Sequence, residues 1–189
     1  DIGRSGCLSS SQRYLSDLAA TILNMDTHQL VRLAGHLLAF RVGTGNLYVA
    51  GNGGSAANAA HATAHLREQG ISALCLTDNV PLLTAQANDV SYEEALKGAI
   101  PSLSADDGLL LFTTSGRSPN LLALVSAARQ VGAPVYAFLG GSRGGPPADL
   151  RFDLAVEVPC SDPALVEDVH SALLHLVIVK LIGQALVAG

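Results

Sequence analysis

A chain of 189 residues can bury one sizeable core, and with 49% apolar and 14% charged residues its composition is globular and far from disordered. A formal charge of −5, with no basic cluster and only two lysines among eleven basic residues, argues against a nucleic-acid surface. Cys7, Cys75 and Cys160 are odd in number, widely spaced and free of any CxxC pattern, so neither a disulfide framework nor a thiolate zinc site is expected. The expected location is cytoplasmic, with no membrane partner. Of the apolar runs, Ser171 to Ala188 comes closest to membrane-span length, and His175 and Lys180 interrupt it. Residues 1–10 lack periodicity and read as a loose terminus or an expression remnant; 11–189 reads as one domain.

From about Ser11 to Phe40, apolar residues recur at helical spacing (Leu15, Leu18, Ile22, then Leu30, Leu33, Leu37). This predicts one or two amphipathic helices within 11–42, divided near Met25-Asp26-Thr27, where Asp26 or Thr27 could cap the second. Then α/β alternation begins. Strands are predicted at Asn46–Ala50, Ile71–Leu76, Gly108–Phe112, Pro134–Leu139 and Phe152–Val158. Helices are predicted at Ser55–Arg67, Tyr92–Leu103, Asn120–Val131 and Ala164–Val187. Strands that are apolar throughout, joined by helical crossovers, indicate a doubly wound parallel sheet of about five strands covered on both faces.

Two loops of similar design follow two of these strands. Gly51-Asn52-Gly53-Gly54-Ser55 comes after Leu47–Ala50, and Thr113-Thr114-Ser115-Gly116-Arg117-Ser118 comes after Leu109–Phe112. Small residues permit close backbone approach, while hydroxyls and free amides at a helix N-terminus supply donors for an anion. The first loop alone is compatible with an ordinary tight turn. It is neither GxGxxG nor a Walker A loop, since no Gly-Lys-Ser/Thr closes it. The second places four hydroxyls in six residues, more than a turn requires, which points to a phosphate cradle. His61 and His65 are four apart on the helix after the first loop, on one face, a spacing that suits a shared metal as well as an ordinary polar face. The final helix carries Glu167, Asp168, His170 and His175. Acidic residues in a first turn complement the dipole, whereas His175 stands among apolar neighbours and needs a partner.

The segments Gly51–His61, Ala87-Asn88-Asp89, Thr114–Asn120 and the final helix with Glu167 and His175 resemble, in order and over nearly the whole chain, the sugar isomerase (SIS) domain family. Within it, the likeness is to phosphoheptose isomerases acting on sedoheptulose 7-phosphate. The resemblance implies a homotetramer whose N-terminal helices pack centrally, with active sites at subunit interfaces. It implies phosphate bound by Ser55, Ser115 and Ser118 with Thr113, Thr114 and Arg117 nearby, and sugar contacts from Asn52, Gly53, Gly54, Asn88 and Asp89. It also implies one zinc ion per subunit held at His61, His65, Glu167 and His175. Two positions depart from the family: His65 stands where Glu, the proposed base, is usual, and Glu167 where Gln is usual. A carboxylate is lost at one ligand position and gained at another. Glu167 and His175 are eight apart, roughly 12 Å along a straight helix, so His170, three from Glu167, is a reserve candidate.

The expected activity is aldose–ketose isomerisation of sedoheptulose 7-phosphate to a D-glycero-heptose 7-phosphate through an enediol(ate), with zinc polarising the oxygens. His65 or Glu167 would be the base and His175 the second proton carrier. The rival expectations are a non-catalytic tetrameric scaffold, suggested by the missing Glu at position 65, and a phosphosugar-sensing module that needs no metal.

Overall fold

The structure, a computed structural model, describes residues 4–141, 147 and 151–188. Two helices come first, α1 (Arg4–Leu23) and α2 (Thr27–Ala39). Asp26 caps α2, its carboxylate accepting from the His28 N–H at 2.9 Å. Of the segment 1–10, expected to be a loose terminus, residues 4–10 belong to α1; residues 1–3 lie outside the described residues.

The α/β unit then runs β1 (Leu47–Ala50), α3 (Gly54–Glu68), β2 (Ala73–Cys75), α4 (Val80–Asp89), α5 (Ala95–Gly98), β3 (Gly108–Thr113), α6 (Pro119–Val131), β4 (Val135–Gly140) and β5 (Leu154–Val158). It closes with α7 (Pro163–Leu174), a π-helical segment (His175–Ile182) and α8 (Gly183–Ala188). All five strands are parallel, in the order β2-β1-β3-β4-β5. β1, β3 and β4 are buried at every position, as strands covered on both faces must be.

Strand side chains alternate between two cores. Val49, Leu110, Phe112 and Phe138 pack with α2, α3, α7 and the π segment, whereas Tyr48, Leu109, Leu111 and Ala137 pack with α5 and α6. The fold is thus a five-stranded parallel sheet between two helical layers. The run Pro163–Val187 is long and apolar enough to cross a membrane by length and composition. Its Val166, Val169, Leu173, Val177 and Ile178 are nevertheless buried in the first core.

Two predicted elements differ from the observed ones, and one observed helix was not predicted. Tyr92–Leu103 is helical only over Ala95–Gly98, and a helix that was not predicted, α4, precedes it. No residue of α4 is buried, so its sequence carries no apolar stripe. Its start is marked only by Asn79, whose side chain accepts from the Leu82 N–H, and by Pro81. The single helix expected over Ala164–Val187 is interrupted by π geometry that begins at His175.

Candidate functional site

β1 and β3 are neighbours, yet the chain leaves them in opposite directions. α3 covers one face on the way to β2 and α6 covers the other on the way to β4. The two loops therefore diverge at the carboxyl ends of adjacent strands, the switch point where open parallel sheets bind ligands. Gly53 adopts φ +57, ψ −126, a conformation that strains side-chain-bearing residues. A Cβ on Gly54 would collide with the Glu167 carboxylate, so that side chain lies directly against the start of α3.

In the second loop the Thr113 hydroxyl accepts from the Gly116 N–H at 3.1 Å, and the Ser115 hydroxyl accepts from the Arg117 N–H at 3.2 Å. Ser118 opens α6 with no side-chain bond to the helix amides. Between the loops lies a cavity of about 50 Å³ lined by Asn52, Ser55, Thr113, Thr114, Ser118 and Glu167, with Phe112 and Leu121. Of the expected ligand-binding residues, Ser115 and Arg117 share the loop without lining this cavity. Asn88 and Asp89 lie at the exposed end of α4, where the Asn88 amide donates to Asp89 at 2.8 Å.

Residues absent from the sequence expectation hold Asn52 in place. Asn120, 1% exposed at the start of α6, exchanges two hydrogen bonds with Asn52, at 2.8 and 2.9 Å. The Leu121 N–H donates to Asn120 Oδ1, which fixes the orientation of Asn120 and through it that of Asn52. Asn52 Oδ1 then accepts a second bond from the Tyr92 hydroxyl at 2.9 Å. Both lone-pair directions of that oxygen are used, so Asn52 faces a ligand with one amide hydrogen as donor. Asn120 and Tyr92 lie 68 and 40 positions from Asn52, and no local sequence signal joins them.

α3 and α7 lie side by side in the same direction. Glu167 meets Gly54, its carbonyl accepts from Asn58 Nδ2 at 2.9 Å, and further along His175 meets His61 and His65. The ring centroids of His61 are 4.7 Å from His65 and 4.8 Å from His175, and one nitrogen from each ring lies within 4.8 Å of the others. His61 and His65 bring their Nε2 atoms to 2.9 Å. Burial lowers the His61 pKa, the His65 and His175 rings lower it further, and Glu68 opposes them. Neutral imidazoles are the form a metal requires. Tetrahedral zinc with bonds of about 2.0–2.1 Å separates its donors by roughly 3.3 Å, so three nitrogens within 4.8 Å fit such an ion after small ring adjustments.

Glu167 does not join this cluster. Its separation of eight positions from His175 puts it about two turns away, at the hydroxyl-lined cavity. The reserve candidate His170 is 0% exposed and packs against the stacked Phe112 and Phe138 rings, centroids 5.9 and 5.8 Å away. It belongs to the core. Three residues from Glu167 is nearly a full helical turn, yet α7 presents Glu167 to the cavity and His170 to the sheet.

The SIS domain family profile matches residues 12–140. A phosphoheptose isomerase of Alkalilimnicola ehrlichii is 37% identical over 166 residues, covering 82% of this chain and 84% of the relative. One of Burkholderia pseudomallei is 33% identical over 177 residues, covering 90% and 88%. The solved phosphoheptose isomerase of Neisseria gonorrhoeae superposes with a TM-score of 0.79 at 27% identity, covering 95% of this chain and 96% of that one. The corresponding structure from Francisella tularensis gives 0.82 at 24% identity, covering 97% and 100%, a likeness of fold. The chain belongs to the SIS domain family, and phosphoheptose isomerases are its homologues.

Proposed function

We propose that this protein is a phosphoheptose isomerase that interconverts sedoheptulose 7-phosphate and a D-glycero-heptose 7-phosphate with the help of zinc. The observation that carries the reading is the convergence of His61, His65 and His175, about two helical turns along α3 from the switch-point cavity. The homologues named above support the substrate class. In this reading the hydroxyls of Ser55, Thr113, Thr114, Ser115 and Ser118, with the amides opening α3 and α6, hold the phosphate. Asn52 donates its remaining amide hydrogen to a sugar oxygen, which favours charge developing there.

His61, His65 and His175 would hold the zinc ion, which when bound would polarise the substrate's carbonyl and adjacent hydroxyl oxygens. The proton beside the carbonyl would be taken by His65, in the cluster, or by Glu167, the carboxylate that lines the cavity. The enediol(ate) is then reprotonated at the neighbouring carbon. A homotetramer in the cytoplasm, with sites completed at subunit interfaces, belongs to the same proposal. It is motivated by Leu15 and Leu23 on α1, 64% and 83% exposed.

One feature favours a sensing or scaffold role instead: the usual Glu at position 65 is His. An NMR time course with sedoheptulose 7-phosphate in deuterated water, metal-free and with zinc, decides between them. Zinc-dependent turnover with deuterium incorporation, abolished in His65→Ala, is expected. Phosphosugar binding without turnover in either condition would leave the sensing or scaffold role.

A further inference from the structure

Glu68 follows His65 by three residues at the end of α3, and its Oε2 lies 2.9 Å from His65 Nδ1. A carboxylate only accepts, so Nδ1 carries the proton of this bond. In a neutral imidazole the lone pair is then on Nε2, the atom that faces His61 Nε2 at 2.9 Å. His65 is thereby held in one tautomer and one ring orientation, with its ligating nitrogen turned towards His61 and His175. The Glu68 side chain is 65% exposed and that of His65 only 21%, so the carboxylate reaches in from solvent to the outer edge of the cluster.

We infer that Glu68 is a positioning residue for the histidine cluster, making a carboxylate–imidazole pair that presents the Nε2 lone pair of His65 to a divalent metal. The inference rests on the metal reading of the three histidines. It explains how the site tolerates an imidazole where the family resemblance expects a carboxylate: the carboxylate sits one turn further along α3 and orients the ring through the hydrogen bond from Nδ1. Carboxylates that accept the free N–H of a ligating histidine set its orientation and raise its basicity, and their removal typically weakens metal affinity about 10–100-fold.

The test is zinc affinity of the full chain, measured with Zn²⁺ alone in competition with a chromogenic chelator, alongside the visible absorption of the Co²⁺-loaded protein. Glu68→Ala should bind Zn²⁺ about 10–100-fold more weakly. Glu68→Gln keeps an oxygen that can accept from Nδ1–H and should stay within about fivefold of the parent. Both side chains at position 68 are exposed, so unchanged circular dichroism is expected. Equal affinity for Glu68→Ala and the parent would reduce Glu68 to a surface ion pair and overturn the inference alone. Equal weakening in Glu68→Gln and Glu68→Ala would also overturn it, because charge and not the hydrogen bond would then be the cause. A parent chain that binds no Zn²⁺ would overturn both the inference and the metal reading beneath it.

Discussion

Replacing His170 with Leu should remove a large part of the protein's acid sensitivity. The imidazole is 0% exposed against two stacked phenylalanine rings, and among the described residues its nitrogens meet no polar group but the Leu139 backbone. Burial pushes its pKa from 6.5 down to about 4, with a backbone group of Leu139 opposing slightly. Above pH 6.5 the ring is neutral in both folded and unfolded chains and proton binding costs nothing. Between 6.5 and about 4 the unfolded chain takes up a proton that the folded chain refuses, so stability falls as the pH falls. The whole window corresponds to about 3 kcal/mol. Urea denaturation at pH 7.5, 6, 5 and 4.5, at one protein concentration, would follow both proteins, and other titrating groups cancel in the difference. His170→Leu should gain on the parent by about 1 kcal/mol for each pH unit below 6.5. A difference that stays constant within about 0.5 kcal/mol across the series would refute a neutral buried His170.

Other perturbations address the loops and the surface. Gly53→Ala meets no atom within 4 Å but must hold φ +57, ψ −126. Its cost is therefore backbone strain, about 1–3 kcal/mol in urea denaturation, and an unchanged midpoint would show that the loop relaxes. Tyr92→Phe leaves the Asn52–Asn120 pair intact and should raise KM several-fold with little change in kcat. Asn120→Asp sets a carboxylate oxygen against Asn52 Oδ1 and should raise KM about tenfold or more. Equal KM values in all three proteins would mean that Asn52 does not touch the substrate. Leu15→Lys combined with Leu23→Lys should reduce the assembly mass measured by light scattering, and a mass unchanged by both charges would place α1 outside the subunit contacts.

The sheet was legible because each of its five strands is a short apolar run, and the alternation with helices left parallel pairing as the consistent topology. α4 was not, since a helix with no buried residue has no periodicity to read. His61 and His65 were legible as a pair from their spacing, but His175 joined them only through the family resemblance, its ring arriving from a helix 110 positions later. Eight positions separate Glu167 from His175, and the structure sends one to the cavity and the other to the histidines. Glu68 carried a visible signal, three residues after His65, which is indistinguishable in sequence from an ordinary surface charge. The hold on Asn52 was invisible because it depends on Tyr92, Asn120 and the Leu121 amide meeting across the switch point.

Glu167 creates a conflict within the site that has a measurable consequence. Its carboxylate lines the same small cavity as the hydroxyls of Ser55, Thr113, Thr114 and Ser118 and lies against Gly54, at the positive end of α3. In the unliganded chain that placement is favourable: a negative charge occupies the helix end that would otherwise attract an anion. A phosphate entering between the loops must then coexist with a like charge. At roughly 6 Å and an effective dielectric of 20–40, two unit charges repel by about 1–3 kcal/mol. Glu167→Gln keeps the size and removes the charge, so inorganic phosphate should bind about 10–100-fold more tightly by titration calorimetry. Where Glu167 is also the base, turnover of sedoheptulose 7-phosphate should fall as phosphate affinity rises. The opposition of these two effects distinguishes a carboxylate that acts on the substrate from one that only shapes the cavity. Loss of turnover with unchanged phosphate affinity would place the phosphate away from Glu167, further out along the Thr113–Ser118 loop.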